Sequence, residues 1–158
     1  MEYAVIIWPA AFDNASVAEI ENIMSKYGKI VSSTERKFSY IGLRNLMIQL
    51  YKEEEWAGSY WNNFRYIKYK LNPCYRKNAN TLLYMFECES LESVLEMKDE
   101  VRLLCKIEKA SIHTADTREE TEMVEQIFAS EGTCKKMNGQ LFYSYHIYFS
   151  ECMKRIKK

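Results

Sequence analysis

Glycine and proline are scarce in this chain, at 5 and 2 among 158 residues. With 47% hydrophobic and 28% charged residues, that scarcity excludes a disordered or low-complexity polypeptide. Neither sign of charge prevails, since Lys plus Arg and Asp plus Glu both number 22. A whole-molecule field that would draw the chain to nucleic acid or an anionic membrane is therefore excluded, and any electrostatic function must be local. No apolar run approaches the roughly 20 residues that cross a bilayer. Residues 3–11 are apolar but few, without a basic leader or a small-residue cleavage site, which argues against a signal peptide. The five cysteines (Cys74, Cys88, Cys105, Cys134, Cys152) are odd in number and widely spaced, with no Cys-x-x-Cys pair. Reduced thiols, no protein-bound metal and a cytoplasmic location are expected.

What is present suffices for one domain over residues 1–158, because a chain of this size hides roughly 68–70% of its unfolded surface. Tyr3 to Trp8 is a short, continuous β-branched and aromatic run stopped by Pro9, the pattern of a central strand buried on both faces. Val17, Ile20, Ile23 and Met24 recur at helical spacing, with Asn14 or Ser16 to cap and Gly28 to stop. A more exposed strand is expected over 29–39 and helical spacing over 43–51. Residues 54–72 are aromatic throughout and resist assignment. Further on, the pattern predicts a buried strand at 81–87, a helix at 90–104, a strand at 106–113 and a helix at 117–127. Without an inserted helix pair, the order is βαββαβ. This is an α+β, ferredoxin-like (split βαβ) antiparallel sheet with helices on one face. The aromatic tail, 140–156, would be a helix or strand packed outside.

Of the two histidines, His113 is the more informative. It closes a predicted strand just before a helix N-terminus, where one ring nitrogen can meet a ligand and the helix end attracts phosphate. Asp116 and Glu119 would fix the following turn or orient neighbouring groups, Glu119 and Glu120 being placed in the helix's first turn. The plainer alternative is that His113 only caps or hydrogen-bonds that turn.

The segments Tyr3-Ala-Val-Ile-Ile-Trp-Pro-Ala and Ile112-His-Thr-Ala-Asp-Thr117 are similar to two motifs of the nucleoside diphosphate kinases, and the resemblance spans about residues 2–130. Residues 131–158 would be a C-terminal extension. The resemblance implies a ferredoxin-like enzyme passing a γ-phosphate through a phosphohistidine at His113, with Mg²⁺ arriving on the bound nucleotide. It implies phosphate-binding roles for Lys98 and Arg102. Tyr51, Tyr60 and Trp61 fall among that family's helix-pair aromatics, with base binding expected of Tyr60 and Trp61 and a supporting role of Tyr51. The chemistry is coherent, because a neutral imidazole attacks phosphorus well and cations neutralise the transferred group. Lys98 and Arg102, at i and i+4, share a helix face, though such pairs also occur as plain solvated surface.

The departures are specific. The family's first-strand lysine is Trp8 here, the serine two residues after its histidine is Ala115, and the asparagine three before it is Ala110. A long loop used in assembly is missing between Arg102 and Lys109, which leaves a homo-oligomer open. A binding protein for a nucleotide or other phosphorylated small molecule, without turnover, is therefore also in play. Another class stands beside it: a non-catalytic ferredoxin-like module for RNA or a protein partner. That module would use the sheet and the 60–77 block, within which Arg65–Lys77 interleaves cations and aromatics, or the strand aromatics Tyr84 and Phe86; the Arg65–Lys77 block could also hold a nucleotide, with Trp61 or Tyr66 stacked on its base. An amphipathic helix and core packing are the simpler accounts of those two features. Cys105, with no nearby histidine in sequence, is a poor nucleophile candidate, and His146 is expected to pack in the tail.

Overall fold

The structure is a computed structural model that describes residues 1–140 and 143–157; within the last helix, nothing is described of side chains 144–148 and 151. The expected packing of His146 lies outside the described residues. Four strands form one sheet: β1 (Glu2–Ile7), β2 (Lys29–Lys37), β3 (Asn80–Glu87) and β4 (Ile112–Thr114). Their order is β2-β3-β1-β4 and every pairing is antiparallel. This is the expected ferredoxin-like arrangement, with β1 central.

Strand alternation builds two cores. Tyr3, Val5 and Ile7 of β1 join Leu82, Tyr84 and Phe86 of β3 beneath α1 (Val17–Tyr27) and α4 (Leu91–Cys105). These are the two helices of the βαββαβ unit, both on one face as anticipated. Ala4 and Ile6, with Leu83 and Met85, point the other way. That second face is not bare. It is covered by α2 (Tyr40–Tyr51), α5 (Arg118–Ala129) and α6 (Glu131–Gly139), with α3 (Lys68–Cys74) alongside. Covering the sheet on both sides explains why β1 and β3 read as unbroken apolar runs. The edge strand β2 alternates between exposed and partly buried residues.

Helix starts follow from local chemistry. Ser16, Ser39, Ser90, Thr117 and Ser130 each accept a backbone N–H of the first turn of α1, α2, α4, α5 and α6. Ser16 and Glu19 complete a capping box. Between α2 and α6 the backbones approach so closely that a Cβ on Gly42 would lie 1.8 Å from Asn138 Oδ1. That oxygen accepts the Ser39 amide while Asn138 Nδ2 donates to the Lys37 carbonyl. Asn45 adds two hydrogen bonds, to the Met137 and Gln140 carbonyls.

One segment differs from the sequence expectation, and two that the sequence left open take a definite form. The strand expected over 106–113 forms only from Ile112. Lys106 and Glu108 take left-handed backbone conformations, and Glu108–Ala110 winds into a 3₁₀ turn, so the ladder cannot begin earlier. Residues 54–72 hold two 3₁₀ turns, Glu55–Ala57 and Tyr60–Asn62, and then lead into α3. The tail is helical over α7 (Tyr143–Ile156), and α6 was not anticipated. Among the described residues no helix is long and apolar enough to cross a membrane.

Candidate functional site

The register of β1 against β4 decides where His113 points. It pairs with Ile6, and cross-strand partners share a face, so the imidazole emerges on the α2 and α5 side. There it forms part of the wall of a cleft of about 610 Å³, a size suited to a nucleotide-scale ligand. The cleft also takes in Tyr51 from α2, Trp56, Tyr69 and Lys70 around α3, Lys98 and Arg102 from α4, and the turn carrying Lys109.

Both imidazole nitrogens are engaged. Nε2 lies 2.8 Å from Glu120 Oε1, and Nδ1 lies 2.9 Å from the Tyr51 hydroxyl. A carboxylate only accepts, so in the neutral ring Nε2 carries the hydrogen and Nδ1 accepts from the phenol. The histidine side chain is 12% exposed. Glu120 is placed by the cap of α5: Thr117 accepts the Glu120 amide, and Glu120 Oε2 accepts the Asp116 amide in return. Burial, followed by the neighbouring Cys74 and Glu120, pushes the Tyr51 phenol far above its ordinary range, so it stays a neutral donor. Its ring meets His113 edge to face and also touches Trp56, their centroids 5.2 Å apart in each case.

The cations come from three elements. Lys98 and Arg102 lie one turn apart on α4, as their spacing anticipated, and both reach the cleft. Burial, and then Arg102, hold the Lys98 ammonium below its ordinary pKa. Arg102 pairs with Asp99 at 3.5 Å, and its Nε is buried without a partner. Glu54, Glu108 and Asp116 are the carboxylates at the cleft wall.

The remaining expected residues are more scattered. Asp116 is exposed at the cleft wall, whereas Glu119 is exposed and outside it; the carboxylate on His113 is Glu120. Trp61 is fully exposed and outside the cleft, and Tyr60 stacks edge-on against Phe64. The aromatic rings at the cleft are instead Tyr51, Trp56 and Tyr69. Tyr84 and Phe86 are fully buried, which removes the possibility that they stack bases on an open sheet. Trp8 is likewise buried, its ring 6.4 Å from His113 and its indole Nε1 without a hydrogen-bond partner. Cys105 is buried, and desolvation pushes its thiol up to about 11, so it is no nucleophile. Among the described residues no cluster of three or more His, Cys, Asp or Glu could hold a metal ion.

Sequence reasoning passed over Lys70, Lys109, Trp56 and the role of Glu120. A signal existed for the last: Thr117-x-x-Glu120 is the capping-box spacing, which sends the glutamate back toward the preceding turn.

No protein-family model matches the chain, and no curated protein matches its sequence. Among solved structures the chain is similar to the nucleoside diphosphate kinase of Aquifex aeolicus, in an orthorhombic crystal form. The likeness covers 83% of this chain and 95% of that one, with a TM-score of 0.50 and 14% identity. It is a distant resemblance of fold. The ferredoxin-like architecture inferred from the sequence is thus shared with that kinase.

Proposed function

We propose that the cleft binds a nucleotide or another phosphate compound and that His113 carries its transferable phosphoryl group. One observation carries this reading: an imidazole whose Nε2 is held by a carboxylate, Glu120, and whose Nδ1 meets the Tyr51 hydroxyl stands in the wall of a cleft that also takes in Lys98 and Arg102.

In the transfer step the Nδ1 lone pair attacks the terminal phosphorus. An N–P bond forms, the bridging P–O bond breaks, and its electron pair leaves on the diphosphate. Glu120 keeps the Nε2 hydrogen and balances the positive charge that develops on the ring. Lys98 and Arg102 neutralise the phosphates. The Tyr51 hydroxyl, which covers Nδ1 at rest, must move aside and is then available to donate to a phosphoryl oxygen. Mg²⁺ would enter as part of the substrate, coordinated by its phosphates.

A reading without turnover is favoured by a different observation, the capping of Nδ1 by Tyr51 beside a buried Trp8. In that case the cleft binds a phosphate ligand and transfers nothing. The RNA or protein-partner alternative would rest on Trp61 and on the stacked Tyr66 and Tyr69. Self-association remains part of the proposal through the kinase resemblance alone.

The test is incubation with γ-labelled ATP and Mg²⁺ for wild type and His113→Ala. Acid-labile, alkali-stable label on the wild type alone supports the phosphohistidine. Absence of label on both overturns transfer.

A further inference from the structure

Outside the residues already given roles, the strongest unexplained feature of the cleft is its surplus of unpaired cations. Lys70 of α3 and Lys109 of the 3₁₀ turn join Lys98 and Arg102 in its wall. Among the described residues, no carboxylate lies within ion-pair distance of any of the three lysines, and Arg102 has only the exposed Asp99. Lys70 is half-buried, and its ammonium donates to the Lys109 carbonyl and lies 6.0 Å from the Tyr51 ring centroid. Two of its three donors remain for a ligand. Burial depresses its pKa, and Arg102, Lys98 and Lys109 add to that depression, so the four charges sense one another.

Lys70 and Lys98, partly dehydrated, share this wall with Glu54, Glu108 and Asp116 but pair with none of them, which is costly in the empty protein. A single phosphate brings at most about two charges to these four cations, which come from α3, α4 and the 108–110 turn. A chain of phosphates brings more charge, spaced along its length.

We propose that Lys70, with Lys109 behind it, is a phosphate-binding residue that makes the cleft specific for a polyphosphate over a single phosphate. This rests on the phosphate-cleft reading above and names a cation that the reading did not require. Lys70 would contact the phosphates beyond the one facing His113, and the carbonyl of Lys109 would fix the direction of its ammonium.

The test is calorimetric titration with inorganic tripolyphosphate and, separately, inorganic phosphate, at low salt. Wild type, Lys70→Gln, Lys70→Arg and Lys68→Gln are compared, each with its melting temperature and its labelling by γ-labelled ATP. Lys68 is exposed and outside the cleft, so its variant reports general charge loss. The expected result is tripolyphosphate bound more tightly than phosphate by the wild type, with a loss of about tenfold or more in Lys70→Gln. Lys70→Arg should retain most of the affinity and Lys68→Gln all of it. Wild-type affinity in a folded Lys70→Gln protein overturns the role of Lys70 and leaves the His113 reading standing. Lysine-dependent binding without label supports the polyphosphate cleft and removes transfer. If tripolyphosphate does not bind the wild type, both readings fall.

Discussion

The phenol of Tyr51 and the imidazole of His113 meet edge to face, with the hydroxyl 2.9 Å from Nδ1. The bond closes the one ring nitrogen that Glu120 leaves open. Tyr51→Phe should therefore make His113 react faster with diethyl pyrocarbonate, while lowering stability by about 1 kcal/mol for the lost hydrogen bond. An unchanged modification rate in the folded variant would show that Tyr51 does not shield Nδ1.

Glu120 and its neighbour Glu119 provide an internal comparison. Only Glu120 reaches the imidazole. Glu120→Gln should reduce phosphohistidine labelling by about 10²-fold or more, through loss of ring orientation and of charge on the attacking imidazole. Glu119→Gln should label like the wild type. Equal losses in both variants would point to the charge of the α5 N-terminus in place of a specific contact.

The depressed lysines fix a sign for stability. Lys70 and Lys98 lie below the ordinary value of 10.5 in the folded protein, chiefly through burial. Their charged forms are penalised at every pH below the folded values, and the penalty is relieved as pH rises through those values toward 10.5. A double variant, Lys70→Gln with Lys98→Gln, should thus be more stable than wild type at pH 7, and the gap should narrow toward pH 9.5. Taking the difference cancels the titrations of the Cys105 and Cys134 thiols, whose shifts have other causes. Denaturant unfolding at the two pH values measures it. Tripolyphosphate should raise the melting temperature of the wild type by linkage.

Gly42→Ala tests the α2–α6 clasp. The added methyl group would have to displace Asn138, whose side chain holds the Ser39 amide and the Lys37 carbonyl. A loss of about 1–3 kcal/mol is expected, typical of overpacking. A neutral effect in urea unfolding would mean that the two helices separate readily.

Four cysteines are buried and only Cys152 is partly exposed. Desolvation pushes Cys74 and Cys105 up to about 11 and also raises Cys134. Iodoacetamide on the native protein should modify Cys152 quickly and the others only on unfolding, as peptide mass mapping would reveal.

The strands and long helices were legible because burial imposes a simple period. Tyr3–Trp8 and 81–87 had to be core, and Ser16 and Thr117 marked helix starts. The segment 106–113 misled, since its backbone is set by Lys106 and Glu108 in conformations that their side chains do not advertise. Residues 54–72 failed for a related reason: an aromatic-rich stretch without a period was turned by Asn63 and Phe64, also left-handed. His113, Lys98 and Arg102 were brought together by the family resemblance, helical spacing adding only that the two cations share a face. Lys70 was not, because α3 reaches the cleft only through that irregular segment. Trp61 was singled out for its type, yet it stands in solvent while Trp56 lies at the wall.

Trp8, finally, bears on which side chains its position can accept. Its indole fills the core next to His113, and its Nε1 has no partner there. A lysine at that position would occupy a hole shaped for a larger, flat ring and would bury an uncompensated ammonium, two costs of several kcal/mol together. A lysine in the first strand is thus excluded at this position by packing. A chain that carries this tryptophan and handles phosphate must draw its positive charge from elsewhere.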